Sequence, residues 1–246
     1  MVGLGNPTSR YERTRHNAGF WFLDKAADHY RLTFRDESRF LGSVARHESG
    51  GRVLHLLKPS TYMNRSGQSV IALVNYFKIA PEEILVAHDE LDLPPGDVRL
   101  KKGGGHGGHN GLRDMIAHLG TPDFYRLRFG IGHPGDRAVV TNYVLDAPSR
   151  RDEDLLAAAM ARALDELPAL ERGDMAAVMN RLNTGAQKAV DERGSIERKY
   201  PANLIGGVPE RSKGSDCKSD GSAFEGSNPS PSTIWVRIYR AGVVQW

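Results

Sequence analysis

One cysteine, Cys217, stands in 246 residues, which excludes an intrachain disulfide framework and a zinc site built from several thiolates. No apolar run of membrane-spanning length occurs, and the opening residues MVGLGNPTSR lack the charged-then-apolar pattern of a secretory leader. Neither a membrane span nor a signal peptide is expected. Charge of one sign is also scarce: 33 Lys and Arg face 30 Asp and Glu, a formal net of +3, so the chain is not a global polycation. No glycine-rich loop ends in Gly-Lys-Ser/Thr, no Gly-x-Ser-x-Gly elbow occurs, and the lone thiol falls late in the chain. A triphosphatase phosphate loop and covalent catalysis by Ser or Cys are left without a candidate. What is present is ordinary globular composition, 39% hydrophobic with 27 glycines. A chain of this length buries roughly 70% of its extended surface and needs no staples. A soluble cytoplasmic protein is the expectation.

Periodicity alternates between strand and helix. Met1 to Gly5 reads as a short buried strand, Asn6 to Arg15 as a loop, and Asn17 to Leu32 as a helix with Phe20, Leu23 and Ala27 on its apolar face. Leu41 to Arg46 and Val53 to Leu57 read as strands joined at Ser49-Gly50-Gly51. After a polar loop, Val70 to Ile79 is helical and stops before Pro81. Ile84 to Ala87 is a buried strand that delivers His88 and Asp89 at its carboxyl end. Val98 to Lys101 and Tyr125 to Gly132 are further strands, separated by the loop Gly103 to Gly108 and the helix Leu112 to Leu119. From there to about Lys188 the chain reads as helical, Asp152 to Leu167 most clearly. This alternation predicts an α/β sheet covered on both faces. Charge is segregated along it: Glu82 to Asp97 holds six acids and no base, while Arg99 to Arg128 holds six bases against two acids. A local basic face follows.

Three groups of residues could carry chemistry. Gly3-Leu4-Gly5 after a strand matches the start of a dinucleotide fingerprint, but position 8 is Thr8 and Pro7 interrupts the turn, so a tight strand exit is the better reading. His106 and His109 lie three apart in a glycine loop and could join His88, Asp89 or His133 around a metal. Alternatively the glycines allow close backbone approach while the histidines bond locally or touch substrate. The third group is spread over element ends: His16, Asp89, Asn6, Asn64 and Asn110. Singly, such residues are most often caps or turn residues. Together they suggest a site that activates water, with a carboxylate holding a histidine tautomer and amides contacting a peptide backbone or oxyanion.

Long motifs in order along the chain narrow this further. Gly3-Leu-Gly-Asn-Pro7, Thr14-Arg-His-Asn-Ala-Gly19, Tyr62-Met-Asn64, His88-Asp-Glu-Leu-Asp-Leu-Pro-Pro-Gly96, Gly103-Gly-Gly-His-Gly-Gly-His-Asn-Gly-Leu112 and Arg126-Leu-Arg-Phe-Gly-Ile-Gly-His-Pro-Gly135 closely resemble the bacterial-type peptidyl-tRNA hydrolases over residues 1 to about 188. The resemblance implies a single α/β domain with a mixed twisted sheet flanked by helices, acting as a monomer without a metal, a cofactor or an obligate protein partner. It implies hydrolysis of the ester between peptide and tRNA. His16 would be the general base, Asp89 its orienting carboxylate, and Asn110 the group positioning water or carbonyl. Asn6, Tyr11, Tyr62, Asn64, Asn110 and His109 would bind substrate, and Lys101 and Arg128 would clamp the tRNA 5′-phosphate. The partner implied is peptidyl-tRNA, held by its acceptor arm, 5′-phosphate and 3′ end. A tRNA-binding protein with impaired catalysis and a metal-dependent hydrolase using His106 and His109 are the alternatives. Two departures stand out: the family usually has several more apolar residues in its first strand, and Thr8 replaces a glycine, which strains the chain if that position has positive φ.

After about Glu192 the character changes. Residues 1–192 read as the catalytic domain. Residues 193–246 read as a non-conforming, disordered C-terminal extension, rich in Gly, Ser and Pro before an abruptly apolar end. Gly226-Ser-Asn-Pro229 can be encoded by GGT-TCG-AAT-CCN, the T-loop signature of tRNA genes, and Asp216-Cys-Lys-Ser219 by GAC-TGT-AAA-TCN, an anticodon arm for tyrosine. Gly206-Gly-Val208, and Ser230-Pro-Ser-Thr233 with the first base of the Ile234 codon, permit complementary acceptor strands ending in CCA. The tail therefore reads as a tRNA gene translated in frame, with a basic Gly/Ser-rich linker as the alternative. Truncation near residue 194 is expected to leave activity intact and improve solubility. Absence of a cloverleaf in the DNA encoding residues 205–234 would sink the idea.

Overall fold

The computed structural model describes residues 1–184. The expectations about a boundary near residue 190, a disordered extension and a translated tRNA gene lie outside the described residues.

A strand of two residues, β1 (Val2–Gly3), holds the middle of the sheet. Around it lie β2 (Arg35–Glu37), β3 (Gly42–Ser49), β4 (Arg52–Pro59), β5 (Leu85–Glu90), β6 (Val98–Lys102) and β7 (Tyr125–Gly130), in the order β2-β3-β4-β1-β5-β7-β6. The inner strands β4, β1, β5 and β7 are parallel. The pairs β2–β3, β3–β4 and β6–β7 are antiparallel, so the sheet is mixed, as expected. Gly50 and Gly51, at φ 57° and 75°, close the β3–β4 hairpin where Ser49 pairs with Arg52, a two-residue turn of the kind that needs positive φ at both positions. β5 is buried from Leu85 through Asp89, which is why it reads as an unbroken apolar run ending in polar residues.

Helices cover both faces. On one side α1 (Ala18–His29), α5 (Arg150–Asp165) and α6 (Leu167–Arg172) pack Phe22, Leu23, Leu156 and Met160 against Ala87, Leu127 and Phe129. On the other, α2 (Ser66–Phe77) and α3 (Asn110–Leu119) pack Val70, Leu73, Leu112 and Met115 against Val86. Leu85 and Ala87 face the first layer while Val86 faces the second, the period-two alternation of a strand buried on both sides. A short α4 (Val140–Leu145) precedes α5, and residues 175–184 are helical. No described helix is long and apolar enough to cross a membrane.

Three elements differ from expectation. β2 is a short charged edge strand, Arg35-Asp36-Glu37, and charge is what protects a sheet edge from foreign pairing while hiding it from an apolar pattern. α2 starts four residues before Val70: its first turn is buried, with Gly67 against α3, where Asp114 Oδ2 accepts from its amide at 2.7 Å, and with the Ser66 and Ser69 hydroxyls donating to the Met63 and Phe40 carbonyls. The buried stripe of α1 runs through Phe22 and Ala26 with Leu23 and Ala27. Phe20 instead lies over Gly5, where an added Cβ would come within 2.6 Å of its ring.

The amino terminus closes the central strand from inside. The Met1 amino group donates to the His55 carbonyl at 2.6 Å, and burial lowers its pKa to about 5.

α1 approaches the sheet through Gly19. A Cβ there would lie 2.3 Å from the Ala87 carbonyl oxygen and 2.5 Å from the Leu4 amide nitrogen, and neither backbone atom can retreat without moving a strand. Gly19→Ala is expected to lower unfolding stability by about 3 kcal/mol or more, at or above the usual range for overpacking. Gly105→Ala, where an added Cβ meets nothing within 4 Å, should change it by less than about 0.5 kcal/mol, the usual scale of an unobstructed surface change. Urea titration of both variants checks the contrast.

Candidate active site

Asp89, the penultimate residue of β5, is a carboxylate with 3% of its surface exposed. Two histidines meet it. His16 Nδ1 lies 3.0 Å from both carboxylate oxygens, and His109 Nε2 lies 3.0 Å from Oδ1. Their rings stand 4.9 Å apart, centroid to centroid.

Each histidine arrives on a helix start. His16 sits in a single 3-10 turn, Arg15–Asn17, that leads into α1. That turn is tied down on both flanks. Arg15 donates to the carbonyls of Tyr143 and Asp146 and lies over the Tyr143 ring at 4.1 Å. Asn17 accepts from the Asn6 amide at 2.8 Å and donates to the Asn6 carbonyl at 3.0 Å. Asn6 in turn uses its Oδ1 to accept from the Met63 amide at 2.9 Å, which leaves its side-chain NH₂ for a ligand. His109 is the N-cap of α3, where its Nδ1 accepts from the Leu112 amide at 3.3 Å.

These bonds assign the protons. With Nδ1 of His109 accepting, its Nε2 carries hydrogen and donates to Asp89. Asp89 accepts from His16 Nδ1–H as well, so the neutral His16 ring keeps its Nε2 lone pair on the side away from the carboxylate. Burial pushes the His16 imidazole down, but the Asp89 charge and hydrogen bond outweigh it, and the net shift is upward. Burial would raise Asp89; the His16 and His109 rings, by charge and by hydrogen bonds, instead hold it well below the usual carboxylate range. His88 is different. Burial lowers it to about 3, its Nδ1 bonds the Asp89 carbonyl at 2.6 Å, and it serves as a neutral wall behind His109.

The network opens on a cavity of about 470 Å³. Asn6, His16, Asn64, Asp89, His109 and Asn110 form its polar wall, Tyr11 and Tyr62 also line it, and Val140, Val144 and Leu145 make it apolar on the α4 side. The structure thus brings eight of the expected site residues to one concavity. Lys101 and Arg128 do not line it. They lie on β6 and β7, where pairing of Lys101 with Arg126 and of Arg99 with Arg128 puts four cations on one face. Arg128 is paired with Glu90 at 2.8 Å.

Several contributors escape sequence reasoning: Arg15 and Asn17, which anchor the His16 turn, and Arg126, which is 3% exposed and donates to the Gly105 carbonyl at 2.5 Å and to the Gly104 carbonyl, holding the glycine loop. Their signal was present only as neighbours of more conspicuous residues. Thr8 has φ −90° and ψ 148°, so this position needs no glycine and the expected strain does not arise. Gly3 and Gly5 make a tight strand exit under Gly19 and Phe20.

The metal set weighed as an alternative, around His106 and His109 with His88, Asp89 or His133, does not assemble among the described residues. His106 Nδ1 accepts from the Gly108 amide, and His133 Nδ1 from the Gly135 amide. Among the described residues the one candidate grouping is His16, Asp89 and His109, with ligand atoms within 4.8 Å of one another. A cation there would need His109 Nε2 without its proton, while the Leu112 amide denies that proton to Nδ1. The donor set fits a proton network rather than an ion.

The family model described as peptidyl-tRNA hydrolase matches residues 1–191. The chain belongs to the peptidyl-tRNA hydrolase family. It is 56% identical over 184 residues to the peptidyl-tRNA hydrolase of Marinobacter nauticus, covering 75% of this chain and 94% of that one. The enzyme of the same name from Thiobacillus denitrificans is also 56% identical, covering 75% and 89%. Among solved structures, the peptidyl-tRNA hydrolase of Acinetobacter baumannii superposes with a TM-score of 0.72 at 50% identity, covering 74% of this chain and 92% of that one. The family assignment and the α/β architecture with a mixed sheet agree with the sequence reading.

Asp89→Asn gives the sharpest test of the proton assignment. Removing the charge leaves burial as the main influence on His16, so its pKa should fall from above the ordinary value of about 6.5 to below it. If the unprotonated ring is the active form, the inflection of kcat/KM against pH moves to lower pH while the plateau drops. NMR titration of His16 in both proteins checks the direction, and an unmoved pKa overturns it.

Proposed function

We propose that the chain hydrolyses the ester joining a peptide to the 3′ ribose of tRNA, with His16 as general base. The observation that carries this reading is the His109–Asp89–His16 chain, which ends in an Nε2 lone pair at a cavity walled by asparagines. Family membership and the solved relatives support peptidyl-tRNA as substrate.

The proposed chemistry needs no covalent enzyme intermediate. His16 Nε2 takes a proton from water as the water oxygen attacks the ester carbonyl. The tetrahedral intermediate collapses, the carbonyl–ribose bond breaks, and the imidazolium returns its proton to the departing 3′ oxygen. Asp89 stays ionised throughout and offsets the transient positive charge on His16. Asn110, on the first turn of α3, is suited to hold the water or the carbonyl. Asn6 and Asn64 offer amides that hydrogen-bond a peptide backbone without titrating, and Tyr11 and Tyr62 lie beside them. Through them a blocked amino group is told from a free one. In this reading His109 acts through Asp89, as a positioning residue, more than through direct contact with substrate. Lys101 and Arg128 hold the 5′-phosphate, in a monomer acting in the cytoplasm without a protein partner.

Hydrolysis of an N-blocked aminoacyl-tRNA beside its unblocked counterpart tests the reading. The blocked substrate alone should turn over, and His16→Ala should reduce its turnover by roughly 10²–10⁴-fold with tRNA binding retained. Binding without turnover in the wild type would favour a tRNA-binding protein instead, and loss of activity on exhaustive chelation would favour a metal-dependent hydrolase. Lys101→Ala should raise KM for substrate carrying the 5′-phosphate and leave a short substrate lacking it unchanged. Arg128→Ala should do the same less strongly, since Glu90 already neutralises part of its charge. Equal losses on both substrates would indicate misfolding.

A further inference from the structure

A second concavity, of about 540 Å³, lies at the opposite edge of the sheet, where β2 and β3 meet the end of α2. It shares no lining residue with the catalytic cavity. Its character is set by Arg31, Arg35, Arg39 and Arg46, all exposed, around Tyr76 and Phe77. The two rings are 59% and 39% exposed, large apolar surfaces left in water. They are not loose: Phe77 stacks on His55 at 4.0 Å, and Tyr76 packs edge-on against Phe40 at 5.3 Å. Arg39 reaches over both Phe40 and Tyr76.

Charge there exceeds its local compensation. Arg39 pairs with Glu37, and Arg46 with Glu48. Arg31 and Arg35 have no ion-pair partner among the described residues.

Planar guanidinium groups bind phosphate oxygens bidentately, and exposed rings take the faces of bases. A duplex buries its base faces, so rings presented this way suit unpaired nucleotides. We propose that this concavity is a second RNA site, which takes a short single-stranded segment with its phosphates on the arginines and a base on Tyr76 or Phe77. The site stands independently of the catalytic reading, since it uses none of the same residues.

Fluorescence anisotropy with octauridylate lacking both a 5′-phosphate and a CCA end tests this without engaging the acceptor-end machinery. Binding should occur and weaken with salt. The double variant Arg35→Glu/Arg39→Glu should weaken it about tenfold or more and flatten the salt dependence, as loss of phosphate contacts requires. Tyr76→Ala should abolish the preference of the wild type for octauridylate over an abasic oligomer of the same length. Hydrolysis of N-blocked aminoacyl-tRNA and thermal unfolding should stay as in the wild type, which separates lost binding from lost folding. Three results would each overturn the proposal: no binding by about 1 mM, well above the usual non-specific range; binding lost in Lys101→Ala but kept in the arginine variant; or a hexaglutamate peptide displacing the RNA at lower concentration than RNA itself.

Discussion

A buried negative charge organises this protein. Asp89 gives up its hydration at the end of a strand that is buried on both faces, and an ionised carboxylate in that position is tolerated only with donors in place. The donors come from two histidines at the starts of two helices on opposite faces of the sheet, α1 and α3. The same charge that demands them makes His16 more basic. Stability and reactivity therefore share one group, and the positions of β5, α1 and α3 are all constrained by bonds of 3.0 Å to it. Gly19 belongs to that constraint, since only a residue without a side chain lets α1 bring His16 close enough to the end of β5.

Much of this was legible in the sequence. Alternating strand and helix patterns located the parallel core, because Leu85, Val86 and Ala87 of β5 and Leu127 and Phe129 of β7 are apolar and buried. The glycine pair at 50–51 marked the hairpin. His16, Asp89 and the asparagines stood out as polar residues at element ends, and the fold brings them together there because the carboxyl ends of parallel strands share one edge. What stayed hidden has a common physical cause. β2 and the first turn of α2 are made of charged or small polar residues, so apolar periodicity does not mark them. Arg15, Asn17 and Arg126 act through backbone carbonyls and amides across the fold, and no local pattern announces a long-range bond to a main-chain atom. His109 was recognised as a site residue and set beside Asp89 only as a possible co-ligand, not as its hydrogen-bond donor. A cap position is read from Leu112 three residues on, whereas the bond to Asp89 spans twenty.

The glycine loop shows how flexibility and order are reconciled. Gly103, Gly104, Gly107 and Gly108 all have positive φ, so few other residues could follow this path, and such a chain is costly to order. Arg126 holds it from below with two carbonyl bonds, and the α3 cap holds it from the far end. Arg126 is therefore not a free cation of the basic face. Of the four bases that the β6–β7 register places together, one holds the loop, one faces Glu90, one approaches Asp97, and Lys101 remains exposed. Cation count alone overstates the charge available to a phosphate.

Under the proposed function, the two walls of the cavity would divide the work of recognition. Amide groups on one wall would meet atoms that every peptide has, because a backbone presents the same donors and acceptors whatever its sequence. Val140, Val144 and Leu145 on the other wall offer contact without direction, and apolar contact discriminates weakly between side chains that differ by a methylene. An enzyme built this way would be strict about the backbone and the blocked amino end and tolerant of side-chain identity. In that proposal the ester would be placed by its constant parts against His16. A base oriented by a buried carboxylate can act on many peptides only if orientation never depends on what is variable in them, and the polar wall is the part of this site that meets that condition.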